Sequence, residues 1–107
     1  MRTLRMLMAT GLLFFGANTL AADPPAAAAT CVSCHGPKGV SATPDWPNLA
    51  GQHAGYLELQ IRSFRDGQRE NPAMAPFVDK LTDRDISELA AYYAGLPRGT
   101  AANGDAS

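Results

Sequence analysis

Two cysteines and a histidine stand together in the segment CVSCH at residues 31–35, and their spacing suits one particular chemistry. On a helix, positions i, i+3 and i+4 share a face, so both thiols and the imidazole point to the same side. Two thiols can add to the two vinyl groups of a haem while the adjacent imidazole binds the iron. The motif therefore predicts one covalently attached haem, held by Cys31 and Cys34 and ligated by His35.

Three other uses of these residues compete with the haem prediction. A disulfide between Cys31 and Cys34 would suit an oxidising compartment but would leave His35 without a role. A thioredoxin-like redox pair belongs beside a β-α-β pattern, and the sequence has no convincing strand pattern. A zinc site would need both cysteines and His53, because His35 is poorly placed to join a tetrahedral shell. Each alternative leaves part of the motif unexplained, so the haem is favoured.

An iron held by one imidazole needs a second axial ligand, or it keeps an open site for chemistry. Met74 lies in the proline-flanked loop NPAMAP, where a stiff backbone can hold a thioether in place. His53 is the other candidate, but its position at a helix start favours an exposed polar residue. We therefore expect Met74 as the ligand. A Met/His pair raises the haem potential and fills both axial positions, which favours electron transfer over binding of O₂ or peroxide.

The first 22 residues have the composition of an export signal. Two arginines precede an apolar run at 6–15, and small residues allow cleavage after Ala21 or Ala22. The run is shorter than the roughly 20 residues that cross a bilayer, although an uncleaved leader would be a membrane anchor. Covalent haem is attached outside the cytoplasm, so the two predictions agree. We expect a periplasmic protein with no stable membrane insertion after cleavage.

Size and composition limit the remaining function classes. The chain has 107 residues, a net charge of −1, 46% hydrophobic and 18% charged residues, which argues against a nucleic-acid binder or a disordered chain. Removal of residues 1–22 would leave about 85 residues, with seven basic and ten acidic side chains and Met74 as the single methionine. A domain this small folds marginally on its own core and usually needs a staple, that is, an additional covalent or metal-mediated link. Covalent haem would supply one.

The hydrophobic pattern predicts an all-α fold of about three to five helices wrapped around the haem. A first helix starts within 23–30, with Asp23 as its N-cap, and a second covers 53–64. The clearest helix opens at the N-cap residue Thr82 and ends near Gly95.

Long loops rich in proline and glycine are expected to join these helices. The runs 36–51 and 67–81 contain half of the prolines and glycines of the chain and are predicted to be irregular. For the whole chain we predict a signal peptide at 1–22, a haem domain at 23–97 and a flexible tail at 98–107.

These residues resemble class I c-type cytochromes, particularly the small bacterial c553 and c4-like group. The motifs that carry the resemblance are TCVSCHG at 30–36, PNLAGQ at 47–52, MAP at 74–76 and LTDRDI followed by LAAYY within 81–93. The resemblance implies a compact helical fold around one haem, with the N- and C-terminal helices crossing. It also implies that Met74 is the distal ligand and that the Pro47 carbonyl orients the proximal imidazole of His35.

The resemblance implies a carrier that shuttles single electrons between redox proteins, such as respiratory complexes or periplasmic reductases. We expect a monomer that binds no nucleic acid. Cytochromes c4 carry two such domains, whereas one CVSCH motif gives this chain one haem. The alternatives are a dedicated haem subunit of a larger dehydrogenase or terminal oxidase, and a haem enzyme or gas sensor with an open axial site.

Six further side chains carry weaker expectations. Arg62, Arg65 and Arg69 are expected to form a solvated helix face, with contact to a haem propionate as the alternative. Trp46 is expected at the haem edge or in the core. The adjacent pair Tyr92 and Tyr93 are expected to be core aromatics.

Overall fold

The structure is a computed structural model that describes residues 10–12 and 23–99. The segment Ala26–Thr30 forms a 3₁₀ helix, followed by α1 (Val32–His35), α2 (Ala54–Arg65), α3 (Ala75–Val78) and α4 (Asp83–Ala94). Within the described ranges there is no strand, so the all-α prediction is confirmed. None of the helices found there is long and apolar enough to cross a membrane. The predicted leader, apart from residues 10–12, and the tail beyond residue 99 lie outside the described residues.

The first helical segment begins later than predicted. Asp23 is not its N-cap: Pro25 takes that position with φ −62° and ψ 152°, and the amide of Ala28 donates to the Pro25 carbonyl oxygen at 2.9 Å. The reason is the Pro24–Pro25 pair, because the residue before a proline is pushed out of the helical region. A helix starting at Pro24 would require that disfavoured conformation.

Helices α2 and α4 pack against each other and supply most of the core. Leu57 of α2 lies against Leu89, Ala90 and Tyr93 of α4, together with Ala28 of the 3₁₀ segment. The predicted spans of both helices hold to within one or two residues at each end. The 3₁₀ segment contacts α4 as well as α1, so the N-terminal and C-terminal helical segments meet as the resemblance implied.

Ion pairs join the end of α2 to the start of α4. Asp83 accepts from Arg62 at 3.3 Å and from Arg65 at 2.8 Å. Arg62 also pairs with Glu58 one turn earlier, at 2.6 Å, and hydrogen bonding to Arg62 lowers the pKa of Glu58. Two of the three arginines that the sequence placed on a solvated face therefore form partly exposed ion pairs with the start of α4.

A capping box begins α4 at the predicted residue. The Thr82 hydroxyl oxygen accepts from the Asp85 amide at 3.0 Å, and the Asp85 carboxylate accepts from the Thr82 amide at 3.0 Å. Hydrogen bonding from Thr82 lowers the pKa of Asp85 below its ordinary value. Both contacts satisfy amides that the first turn of a helix leaves unpaired.

Thr82→Ala should lower the free energy of unfolding by about 1 kcal/mol, because it removes the cap acceptor. Thr82→Ser keeps that oxygen and should lose much less. Urea unfolding of the haem-loaded protein, followed by far-UV circular dichroism, compares the two variants. Equal destabilisation by alanine and serine would contradict a capping role.

The long loops agree with the prediction except at one place. Residues 36–51 contain no regular helix or strand, but the run 67–81 contains the four-residue helix α3. Pro76 lies in the first turn of α3, where the N–H that proline lacks would have no partner in any case. The proline therefore starts a helix that the sequence analysis took for a loop.

Candidate functional site

Helix α1 is a single turn that gathers the three side chains of the CVSCH motif. The amide of His35 donates to the Cys31 carbonyl oxygen at 2.9 Å, which closes the turn. Cys31 and Cys34 are both free thiols of intermediate exposure, so the disulfide alternative does not match the structure. Burial raises the pKa of Cys31 and favours its protonated form. The turn leaves two thiols and one imidazole on the wall of the same cavity.

That cavity has a volume of about 450 Å³ and is lined mainly by apolar side chains. Its lining comes from the motif and the following loop, from α2, from the stretch between α2 and α4, and from α4 itself. Besides the motif, the lining side chains include Trp46, Leu57, Phe64, Met74, Val78 and Tyr93. Several core residues therefore also face the cavity, and burial raises the pKa of Tyr93.

His35 is only 6% exposed, and its ring is fixed by one hydrogen bond. Nδ1 lies 2.8 Å from the carbonyl oxygen of Pro47. A carbonyl only accepts, so Nδ1 carries the proton and donates, and Nε2 keeps its lone pair. The side chain is thus held in the tautomer that can bind a metal through Nε2.

The loop from residue 39 to residue 50 is tied together by hydrogen bonds that sequence reasoning missed. The Ser41 amide donates to Oδ1 of Asn48 at 2.8 Å, and the Ser41 hydroxyl lies 2.6 Å from the Trp46 carbonyl oxygen. The amides of Leu49 and Ala50 both donate to the Gly39 carbonyl oxygen. Asn48 lies next to Pro47 in the PNLAGQ motif, and that adjacency was the available signal for its position.

Met74 lines the same cavity and immediately precedes α3. Its amide donates to the Asn71 carbonyl oxygen at 3.0 Å, and the Asn71 side chain accepts from the amide of Ala73. The loop holding Met74 is therefore braced by Asn71 as well as by prolines. His53, the alternative ligand, is the exposed N-cap residue of α2 and is not part of the cavity lining.

The zinc alternative lacks its ligands. Across residues 10–12 and 23–99, no group of three or more histidine, cysteine, aspartate or glutamate side chains could hold a metal ion. Met74 and His35 are thus the side chains at the cavity wall with soft or imidazole donors besides the two cysteines. Their haem roles stay predictions.

The weaker expectations have mixed outcomes. Of the three arginines only Arg69 borders the cavity, with its guanidinium 4.4 Å from the centre of the Phe64 ring. Arg98, which sequence reasoning missed, also lines the cavity and lies 3.4 Å from the Gly51 carbonyl oxygen. Trp46 lines the cavity but is 39% exposed, so it lies at the edge rather than in the core.

The two adjacent tyrosines pack edge to face, with ring centroids 5.0 Å apart. Tyr93 is 2% exposed and belongs to the core cluster, whereas Tyr92 is partly buried against it. Their packing agrees with the core role expected from the sequence.

Comparison with known proteins gives one family match and several similar proteins. Residues 25–92 match the family model described as cytochrome c oxidase, cbb3-type, subunit III. Cytochrome c-554(548) of Halomonas halodenitrificans is 52% identical over 68 residues, which cover 61% of this chain and 82% of that protein. Cytochrome c4 of Thiocapsa roseopersicina is 45% identical over 80 residues, covering 71% of this chain and 41% of that protein. The chain thus spans less than half of its cytochrome c4 relative.

Solved structures agree with the sequence comparisons. Reduced recombinant cytochrome c4 from Pseudomonas stutzeri superimposes with a TM-score of 0.56 at 38% identity, covering 63% of this chain and 38% of that chain. The thiosulfate dehydrogenase TsdBA from Marichromatium purpuratum gives a TM-score of 0.58 at 40% identity, covering 63% of this chain and 14% of that chain. Both matches support the helical fold described above.

Proposed function

Because the chain belongs to the c-type cytochromes, as its family match and relatives establish, we propose that it is a periplasmic single-electron carrier with a His/Met-ligated iron. The observation that carries this proposal is one cavity bordered by Cys31, Cys34, His35 and Met74. The family's cofactor is covalently attached haem c, and the electron-transfer chemistry follows from its two axial ligands.

The residues of the cavity fit haem c. Two unpaired thiols three residues apart match the attachment chemistry, and the buried His35 offers Nε2 because Nδ1 is already committed to Pro47. The mainly apolar wall suits a large aromatic ring. When bound, the haem supplies a one-electron couple between ferric and ferrous iron.

The protein's own residues then determine what that couple does. The Pro47 carbonyl oxygen accepts a hydrogen bond from Nδ1–H of His35, which raises the basicity of the ligand and fixes its ring. Met74 would fill the second axial position from its braced loop. If His35 and Met74 both held the iron, O₂ and peroxide would have no site on it, and electron transfer would be favoured over enzyme chemistry. An apolar shell around the site limits water access and so affects the potential.

Export is the second part of the proposal. Residues 1–22 have the charge and apolar pattern of a signal peptide, and cleavage after Ala21 or Ala22 would release the haem domain. Mass spectrometry of the protein recovered from the periplasmic fraction measures the cleavage site directly. A mass that includes residues 1–22 would instead mean that the carrier is tethered.

A second candidate function is that of a haem unit working within a larger redox assembly. It is favoured by the likeness to TsdBA and to the thiosulfate dehydrogenase electron acceptor of Thiomonas intermedia, 36% identical over 97 residues. In both candidates the partners are redox proteins. Co-purification with a large partner would favour the second, and a monomer that exchanges electrons with several proteins would favour the first.

The proposal is tested on protein exported from cells able to mature c-type haem. We expect a sharp reduced α-band, a reversible one-electron titration and a ferrous form that binds carbon monoxide poorly. Ready binding of carbon monoxide by the unmodified protein would contradict the filled axial site and favour the haem enzyme or gas sensor. Absence of covalent haem would overturn the whole proposal.

A further inference from the structure

We propose that Ser41 and Asn48 are positioning residues that hold the Pro47 carbonyl on His35 and thereby adjust the reduction potential. Ser41 lies outside the cavity lining, and Asn48 borders the cavity next to Pro47 in the PNLAGQ motif. The inference rests on the proposed function, because it takes His35 as an axial ligand. It goes beyond that function by naming what fixes the hydrogen bond behind the ligand.

Pro47 cannot anchor itself. Proline has no backbone N–H, and its ring restricts φ but leaves the direction of its carbonyl dependent on ψ and on the neighbouring residues. The carbonyl must nevertheless stay within hydrogen-bond distance of Nδ1, where it lies at 2.8 Å. The residues on either side of Pro47 must therefore supply the restraint.

Ser41 restrains both neighbours of Pro47 at once. Its hydroxyl lies 2.6 Å from the carbonyl oxygen of Trp46, the residue before, and its amide donates to the side chain of Asn48, the residue after. The hydroxyl also lies within hydrogen-bond distance of the Thr43 carbonyl oxygen, so its single proton is shared between the Trp46 and Thr43 carbonyls. Ser41 is 2% exposed, so these bonds are shielded from competing water.

Asn48 acts through its oxygen. Oδ1 is the acceptor for the Ser41 amide, whereas Nδ2 is buried and has no hydrogen-bond partner among the described residues. Nδ2 lies against Gly99, where an added Cβ would come within 2.9 Å of it. Asn48 also borders the cavity, whereas Ser41 does not. The contact by which Asn48 acts on the loop is the bond from the Ser41 amide to Oδ1.

The electronic consequence has a definite sign. A well-placed carbonyl draws the Nδ1 proton and makes the imidazole a stronger donor, which favours ferric over ferrous iron. When the Pro47 carbonyl is held less firmly, the imidazole of His35 becomes a weaker electron donor to the iron. Loss of the Ser41 or the Asn48 contact should therefore raise the reduction potential. The two thioether bonds and ligation by Met74 should stay unchanged.

The test compares Ser41→Ala and Asn48→Ala with Ser63→Ala in the exported, haem-loaded protein. Ser63 is a matched control, because it is also a buried serine (8% exposed) whose hydroxyl donates to a backbone carbonyl, that of Leu59 at 2.8 Å. It lies in α2 and does not line the cavity. The readouts are the potential and the proton resonance of His35 Nδ1–H in the ferrous protein.

We expect Ser41→Ala and Asn48→Ala each to shift the ferric-to-ferrous equilibrium about threefold or more toward ferrous, where tenfold corresponds to 59 mV for one electron. Both should also move the Nδ1–H resonance. Ser63→Ala should change neither readout. Ser41→Thr keeps the hydroxyl and should restore the unmodified potential and resonance, which a general packing defect would not allow.

Three outcomes would overturn the inference. Potentials of Ser41→Ala and Asn48→Ala equal to that of Ser63→Ala would assign the loop a purely structural role. A shifted potential with an unmoved Nδ1–H resonance would place the cause elsewhere. In both cases the proposed electron carrier stands. Unmodified protein without His/Met ligation would overturn the proposed function together with this inference, so the two failures are distinguishable.

Discussion

Replacement of Met74 by alanine should lower the reduction potential of the haem by at least ~100 mV, within the span of about 0.8 V that axial ligands cover. The thioether stabilises ferrous iron, so its loss favours the ferric form. The same change should open an axial position, and the ferrous variant should bind carbon monoxide readily. Visible spectroscopy should show that the weak long-wavelength band of thioether-ligated ferric haem has disappeared.

Two variants separate ligation from packing in this experiment. Met74→His should stay six-coordinate at low potential and bind carbon monoxide poorly, because imidazole replaces the thioether. Val78→Ala truncates another apolar side chain at the cavity wall, only 3% exposed, without touching a donor atom. It should lower stability but keep the long-wavelength band. An unchanged spectrum and potential in Met74→Ala would exclude Met74 as a ligand.

The helices could be predicted from the sequence wherever local signals agreed with one another. Thr82 begins α4 as expected, because the cap, the acidic first turn and the apolar stripe all point to the same start. Signals conflicted at Asp23 and at Pro76. At Asp23 a good cap residue precedes two prolines, and at Pro76 a proline that seemed to break a helix occupies its first turn.

The site residues show the same contrast between those that local spacing predicts and those whose contacts depend on the folded loop. Cys31, Cys34 and His35 are brought together by one helical turn, so their shared wall follows from spacing alone. Pro47 came only from the resemblance to known cytochromes, because a contact between residues 12 apart in sequence depends on the path of the loop. Ser41 could not be predicted at all, since its importance lies in the Asn48 side chain and the Trp46 carbonyl that the folded loop brings to it.

Replacement of both Cys31 and Cys34 by alanine should abolish covalent haem attachment. Haem bound only through iron ligands can be extracted by acidified organic solvent, so a haem stain of a denaturing gel should be negative. Ser33→Ala is the matched control: it changes an exposed residue between the two thiols and leaves both in place. It should stain like the unmodified protein. Covalent haem in the double variant would refute attachment through these residues.

The double variant should also lose most of its folded structure. The core described by the structure is small, and Leu57, Leu89 and Tyr93 belong both to it and to the cavity wall. A domain of this size depends on a staple, and side chains facing the cavity gain their packing from what fills it. Far-UV circular dichroism of the purified variant should therefore show much less helix than the unmodified protein.

The two thiols should not contribute equally to this stability. Cys31 packs against the core cluster, while Cys34 is not part of that packing. Cys31→Ala therefore removes a core contact as well as a thioether, whereas Cys34→Ala removes the thioether alone. With one thioether left in each single variant, Cys31→Ala should unfold at the lower urea concentration. The opposite order would show that attachment at Cys34, rather than packing at Cys31, dominates the stabilisation.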